Sequence, residues 1–318
     1  MPLKNGGQPS SGHEEGAWRG RTQRPSTYRE ESDDMPSSNQ MREQGIDACS
    51  ALMGSKTMDT YPNRLIVFVD ILGFGSLVAA SGVDAATEVA TIARISQAIC
   101  QARQELKELS EDSELEFTHF SDSFVVSLPG NLDRTHVAGF TMCVATLVDV
   151  FLEAGLLVRG GVTFGKVIHT FEILFGPAMN RAYQIERDLA KYPRIVFDPI
   201  CFQPGLLDPK RSLHRLAQDD DGMVYLDYFR PSRVFYLLPN HWLSIQDAIE
   251  MIPSADANVA PKRDWMIRHY NDVLAERFSL EAFERRLAEY LEDTDSNPEA
   301  HRGKAELLAC ARALHRLS

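Results

Sequence analysis

An α+β fold of the split βαβ plan, an antiparallel sheet backed by helices on one face, is predicted by three features of this 318-residue chain. The first is an apolar run, Leu65-Ile66-Val67-Phe68-Val69, that ends in a carboxylate, Asp70, and a glycine turn. The second is a long stretch of helical period behind it. The third is a pair of short strand-like runs joined at Ser121-Asp122-Ser123, then a second helical stretch and further strands. In chain order this reads β-α-β-β-α-β.

Each element has a local reason. Arg64 to Asp70 is apolar enough to be buried on both faces. From Asp84 to Leu109, Val89, Ile92, Ile95, Ile99, Ala102 and Leu106 recur at three- and four-residue steps and predict one buried stripe. Leu115 to Ser121 and Phe124 to Leu128 form a hairpin, closed by Pro129-Gly130-Asn131. Asp133 caps a helix reaching Glu153, with Val137, Phe140, Val144, Leu147, Val148 and Phe151 on one face and Gly155 as its stop. Leu156 to Phe164 and Val167 to Phe171 read as a hairpin turned at Gly165-Lys166. A helix from Ala178 to Leu189 precedes a strand from Arg194 to Phe197.

Beyond residue 240 the pattern is helical. Ser244 caps a helix bearing Ile245, Ala248, Ile249 and Ile252, which Pro253 ends. A second stripe carries Met266, Tyr270, Val273 and Leu274. A third, capped by Ser279, carries Phe283, Leu287, Tyr290 and Leu291. A fourth opens at Asn297-Pro298 and carries Leu307, Leu308, Ala311 and Leu314. Residues 1–60 are rich in Gly, Ser, Pro, Glu, Arg and Gln without a sustained period, the composition of a disordered arm. The expected organisation is an arm over 1–60, a sheet domain over 61–240 and a helical extension over 241–318.

Bulk composition narrows the function. A hydrophobic share of 44% supports a sizeable core. The net charge of −12 repels nucleic-acid backbone and anionic lipid, so neither nucleic acid nor membrane is expected as a partner. The five cysteines are odd in number and lack CxxC spacing, which fits reduced thiols in the cytosol. The segment Met1-Pro2-Leu3-Lys4-Asn5-Gly6-Gly7 has no apolar signal core, and the longest apolar stretch, Met142 to Leu152, is broken by Asp149 and too short to span a bilayer. A soluble cytoplasmic protein is expected. No HExxH, Gly-x-Ser-x-Gly elbow or P-loop occurs.

Asp70 and Asp122 are the leading candidates for chemistry. Taken singly, each is an ordinary polar residue where a strand meets a loop. In a split βαβ sheet the first strand and the hairpin are neighbours, so the two carboxylates converge. Carboxylate oxygens suit Mg²⁺ or Mn²⁺, which take few protein ligands plus substrate phosphates. Gly73-Phe74-Gly75 follows directly, where a glycine backbone and a helix start can approach phosphate; alone it equally reads as a plain turn.

Four segments together resemble the class III nucleotidyl cyclases, over roughly residues 64–200. Phe68-Val69-Asp70-Ile71-Leu72-Gly73-Phe74 resembles their metal-binding strand, and Ser121-Asp122-Ser123 falls where they have a Gly-Asp hairpin. Val158-Arg159-Gly160-Gly161-Val162-Thr163-Phe164-Gly165-Lys166-Val167 is similar to their Arg-x-Gly-x-x-x-Gly-x-Val segment. Phe175-Gly176-Pro177-Ala178-Met179-Asn180-Arg181-Ala182 is similar to the segment bearing a ribose-orienting asparagine. The resemblance implies a ferredoxin-like catalytic domain over 61–240. It implies two Mg²⁺ or Mn²⁺ ions per site on Asp70, Asp122 and the Ile71 carbonyl. It also implies a nucleoside triphosphate substrate near Phe74 and Gly75, Asn180 on the ribose, and a homodimer whose site takes the aspartates from one protomer and the asparagine from the other.

The departures from that pattern matter. Where the family usually carries an arginine four residues after the asparagine, this chain has Gln184; Arg181, Arg187 or Lys191 would supply the cation instead, or these are simply a solvated charged face. The family's phosphate-binding lysine is not evident. By alignment, the adenine-reading lysine and aspartate become Thr118 and Ile173, so adenine preference should be lost. Ala190-Lys191-Tyr192-Pro193-Arg194-Ile195 and Met223-Val224-Tyr225-Leu226-Asp227-Tyr228-Phe229 resemble the bacterial anti-phage (Pycsar) pyrimidine cyclases, which make cyclic CMP or cyclic UMP. The expected activity is conversion of UTP, or of CTP, to the 3′,5′-cyclic nucleotide and pyrophosphate. The rivals are an adenylate or guanylate cyclase and a catalytically degenerate module that binds nucleotide or a partner.

Overall fold

The apolar run forms β1, Asn63–Ile71, the strand on which the fold is built in the computed structural model, which describes residues 60–109, 114–202, 216–230, 238–252, 257–292 and 298–318. All of these lie within one compact unit, Met58–Ser318. The arm expected over 1–60 falls outside the described residues, apart from the last of them. Nine strands occur among the described residues: β1, β2 (Glu116–Phe120), β3 (Ser123–Pro129), β4 (Val158–Lys166), β5 (Ile168–His169), β6 (Leu174–Phe175), β7 (Ile195–Phe197), β8 (Leu216–Gln218) and β9 (Val224–Leu226). Eight α-helices are described: α1 (Phe74–Ser81), α2 (Ala85–Leu109), α3 (Arg134–Glu153), α4 (Pro177–Asp188), α5 (Leu238–Glu250), α6 (Ala260–Arg277), α7 (Leu280–Glu292) and α8 (Pro298–Ala313).

The main sheet has the order β2-β3-β1-β4-β7-β9-β8. β1 lies antiparallel to both β3 and β4, and β2 antiparallel to β3. This is the expected split βαβ arrangement, extended by β7, which joins β4 in parallel, and by the β8–β9 hairpin. Side chains alternate across a strand, so β1 serves two layers. Leu65, Val67, Val69 and Ile71 enter the main core with α2 and α3, while Ile66 and Phe68 pack with Ala178 and Ala182 of α4 on the other face. Helices were expected on one face only, but the face away from α2 and α3 carries α4.

α3 is the core helix. Asp133 caps it by accepting from the Thr135 and His136 amides, and Gly155 (φ 69°) ends it in a left-handed turn. All six residues of its expected stripe are buried. It is also long and apolar enough to cross a membrane by length and composition, but most of it is buried inside the protein. The C-terminal helices join the same core: Trp242, Ile245, Trp265, Met266 and Tyr270 are buried with the sheet residues. Phe283, Leu287 and Ala311 form a separate small cluster between α7 and α8, and the side chains of Tyr290 and Leu291 lie outside the described set.

Three local expectations are corrected. No hairpin turns at Gly165-Lys166: β4 stays paired with β1 through Lys166, and the chain then forms a separate small hairpin, β5–β6, turned over Thr170–Ile173. The α2 stripe is buried at Ala98, Ala102 and Leu106, but Val89 and Ile92 are exposed, so only the second half of α2 contributes to the core. Ser244 does not cap a helix; it lies inside α5 and its hydroxyl donates to the Asn240 carbonyl.

Candidate active site

Asp70 is the penultimate residue of β1, on the face that carries α4. Its register partners are Ser123 on β3 and Arg159 on β4. Asp122 occupies the two-residue turn between β2 and β3, and its carbonyl accepts the Ile71 amide at 2.9 Å. Adjacent hydrogen-bonded segments thus carry both carboxylates. Burial pushes the Asp70 carboxyl above the usual range, Arg159 pulls it back, and the Asp122 charge pushes it up again. The preceding residue, Ser121, holds φ 56°, a left-handed conformation that normally belongs to glycine. It stands where the resemblance places the glycine of a Gly-Asp pair.

Arg159 and Glu186 were not singled out as site residues from the sequence, and both belong here. Arg159 Nε donates to Asp70 Oδ2 at 3.4 Å, and Nη2 of the same side chain lies 2.7 Å from Glu186 Oε1. That second contact is an ion pair too poorly aligned to count as a hydrogen bond. Glu186 sits on the buried stripe of α4 with Ala178, Ala182 and Ile185, and burial raises its carboxyl. A carboxylate in the middle of an apolar helix stripe was the available signal for Glu186. Arg159 was marked only by its motif; the register that sets it opposite Asp70 is a long-range fact.

Gly161 lets α4 reach the sheet. A Cβ there would stand 2.5 Å from the Ala182 carbonyl oxygen and 2.6 Å from Ile185 Cβ. Asn180 and Gln184 lie on the opposite, exposed face of α4, with Asn180 about 9 Å along the helix axis from Glu186. The basic residues named with them are engaged elsewhere. Arg187 pairs with Asp188 at 2.7 and 2.9 Å and covers the Tyr183 ring, while Arg181 pairs with Asp198 at 2.6 Å. Burial opposes ionisation of Asp221, yet Arg194 and Lys191 nearby hold its carboxyl below the usual range, so Lys191 belongs to the cluster around buried Arg194. Among the described residues, Arg159 is the cation against Asp70.

The expected nucleotide contacts divide. Phe74 opens α1 and packs half-buried against the main core, and Gly75 is exposed with open space around it. Thr118, on β2, is joined to the β5–β6 hairpin through His169, whose Nε2 lies 2.9 Å from its Oγ1. Ile173 is in the turn of that hairpin, where its amide donates to Thr170 Oγ1 at 3.1 Å. The structure therefore brings Thr118 and the Ile173 turn to one edge of the Asp70 face.

The donor set fits a divalent cation. The Asp122 charge opposes ionisation of Asp70, and the Ile71 amide donates to the Asp122 carbonyl. Among the described residues no three His, Cys, Asp or Glu side chains cluster as a complete metal site. Two carboxylates suffice only where phosphate oxygens complete the shell, as they do for Mg²⁺ in nucleotide sites.

No protein-family model and no curated protein matches this chain. Among solved structures it is similar to the guanylyl cyclase Cya2, at 11% identity and TM-score 0.32, covering 52% of this chain and 92% of that one. It is similar to a class III adenylyl cyclase-like ATP-binding protein from Pseudomonas aeruginosa, at 13% identity and TM-score 0.37, covering 53% of this chain and 39% of that one. It is also similar to a bacterial light-regulated adenylyl cyclase, at 12% identity and TM-score 0.34, covering 69% and 72% respectively. Likenesses of this size establish neither fold nor activity, so the fold rests on the sheet order and register above.

Proposed function

We propose that this chain is a nucleotidyl cyclase acting on a pyrimidine nucleoside triphosphate, UTP foremost. The observation that carries the reading is the placement of Asp70 and Asp122 on adjacent hydrogen-bonded segments, with the Asp122 charge raising the Asp70 carboxyl. In the reaction the ribose 3′-oxygen bonds to the α-phosphorus, the bond from that phosphorus to the bridging oxygen breaks, and pyrophosphate leaves with the electron pair. The 3′-hydroxyl proton goes to solvent. Two Mg²⁺ or Mn²⁺ ions on Asp70, Asp122 and the Ile71 carbonyl would, when bound, neutralise the triphosphate and lower the pKa of that hydroxyl.

The chain's own residues bind and orient. Phe74 and Gly75 border the triphosphate at the start of α1, Thr118 and Ile173 border the base, and Asn180 holds the ribose. The transition-state cation comes from Arg187 or Lys191, released from their present surroundings, since the arginine position is Gln184. Asn180 serves the site of a second copy of the chain. The exposed placement of Asn180, and of Phe120, Phe171 and Tyr183 around the same face, supports that homodimer. A role in anti-phage second-messenger synthesis in the cytoplasm rests on the motif resemblance alone.

The test is incubation of the full chain with Mn²⁺ and each of the four nucleoside triphosphates; absence of any cyclic product rejects the reading. Asp122→Ala and Asn180→Ala subunits should each be inactive, and their mixture should regain activity through one intact shared site. A second reading, a degenerate module that binds nucleotide without turnover, is favoured by Gln184. It expects Asp122→Ala to leave function unchanged.

A further inference from the structure

A buried polar chain on the Asp70 face has no part in the chemistry proposed so far. Arg64 Nε donates to Ser127 Oγ at 2.7 Å, Ser127 Oγ lies 2.8 Å from His169 Nδ1, and His169 Nε2 lies 2.9 Å from Thr118 Oγ1. Arg64, Ser127 and His169 are buried, and Thr118 is partly open.

The direction of the chain follows from its first member. A guanidinium only donates. Ser127 is fully buried, so its hydroxyl, having accepted from Arg64, needs an acceptor for its own hydrogen. His169 Nδ1 is in place to be that acceptor. A neutral imidazole accepting at Nδ1 carries its hydrogen on Nε2, and that hydrogen goes to Thr118 Oγ1. Burial and the neighbouring Arg64 charge hold the ring neutral by pushing its pKa down to about 4. Thr118 then accepts from within the protein and has its own hydrogen left to donate, with no acceptor for it among the described residues.

Thr118 stands two strands across and two residues along from Asp70 by register, about 12 Å away. That is comparable to the reach from the α-phosphate to the base edge of a nucleotide. We infer that Arg64, Ser127 and His169 lock Thr118 as a hydroxyl donor towards the base, so that the site accepts a keto nucleobase and rejects an amino one. Uracil presents an exocyclic keto oxygen where cytosine presents an amino group. A donor facing a donor leaves both unpaired, which discriminates more sharply than shape alone. The inference rests on the cyclase reading for placing the base beside Thr118, and it makes UTP rather than CTP the substrate. His169 and Ser127 are positioning residues, acting only through Thr118.

Two measurements on the full chain test it without turnover. In ¹⁵N NMR of histidine-labelled protein at neutral pH, His169 should be the neutral Nε2–H tautomer; an Nδ1–H or doubly protonated ring overturns the inference. In calorimetry with Mn²⁺, 3′-deoxy-UTP, which lacks the attacking oxygen, should bind at least about tenfold tighter than 3′-deoxy-CTP. Thr118→Val should cut that ratio to below about threefold, and Thr118→Ser should restore it. A preference for CTP, or a ratio untouched in Thr118→Val, overturns the inference. If the ratio behaves as expected while no triphosphate is cyclised, the cyclase reading falls and this one stands. If UTP is cyclised but Thr118→Val keeps the ratio, only this one falls. If no nucleotide binds, both fall.

Discussion

Arg159 faces Asp70 directly across the β1–β4 pair, its Nε 3.4 Å from Asp70 Oδ2. That is longer than the ordinary range of about 2.7–3.2 Å, so the contact is one a bound cation can displace. The same side chain offsets the buried charge of Glu186. Arg159→Ala should therefore do two things. The Asp70 carboxyl, already raised, should titrate higher still, and stability should fall by about 3 kcal/mol as Glu186 loses its counter-charge. Carboxyl ¹³C titration and urea denaturation read the two effects. An unchanged Asp70 titration would show that the two residues are not electrostatically coupled.

The raised Asp70 carboxyl has a consequence for metal affinity. A protonated carboxyl is a poor ligand, and Asp70 takes its proton at a higher pH than an ordinary aspartate. Mn²⁺ affinity should weaken on acidification earlier than an unperturbed carboxylate would allow. In Arg159→Ala that acid edge should move further up. Calorimetric Mn²⁺ titrations across a pH series measure it, and an edge at the ordinary aspartate position counts against the site.

His169 makes stability depend on pH. In the folded chain the ring stays neutral down to about 4, whereas an unfolded histidine takes up its proton near its model value of 6.5. Between these limits the unfolded state binds more protons, so folding weakens as pH falls. The loss should reach at most about 3 kcal/mol near pH 4. His169→Phe should flatten that part of the stability curve, whatever its absolute cost. An identical slope in the variant would mean that other groups carry the acid sensitivity.

Ser121 is held at a positive φ in the turn that presents Asp122. A side chain there costs about 1 kcal/mol that glycine avoids, although glycine also loses more entropy on folding. Ser121→Gly should raise stability by up to about 1 kcal/mol, seen as a higher Tm. A fall in Tm would indicate that the serine hydroxyl contributes more to the turn than its backbone strain removes.

Gly161 sets the distance between sheet and α4. Gly161→Ala would press a methyl group into the Ala182 carbonyl and the Ile185 side chain, neither of which is the loose end of a flexible chain. α4 would have to lift, drawing Glu186 from Arg159. A destabilisation of about 3 kcal/mol is expected, together with an altered Asp70 titration. Neither change appearing would mean that α4 can shift freely on the sheet.

The strongest local signals were the most legible. β1 and α3 stand where a continuous apolar run and a capped, periodic stripe place them, because both signals lie within a few residues of each other. Asp133 and Gly155 mark the ends of α3 for the same reason. The helical period of α2 was also legible, but not its cover: Val89 and Ile92 repeat correctly and remain exposed. Period reports which side chains share a helix face, and only packing decides what lies opposite them. β4 misled in a similar way, since Gly165-Lys166 resembles a turn while standing within a strand that pairs through Lys166.

The sequence by itself determined the central order β1-α2-β2-β3-α3-β4, the positions of Asp70 and Asp122 at strand ends, and the buried face of α3, all consequences of neighbouring residues along one chain. Tertiary structure alone decided that Arg159 stands against Asp70, that Glu186 stands behind Arg159, and that His169 links Ser127 to Thr118. Those contacts join residues far apart in sequence through strand register and helix docking, and a register shift of one residue would turn each side chain to the other face of the sheet.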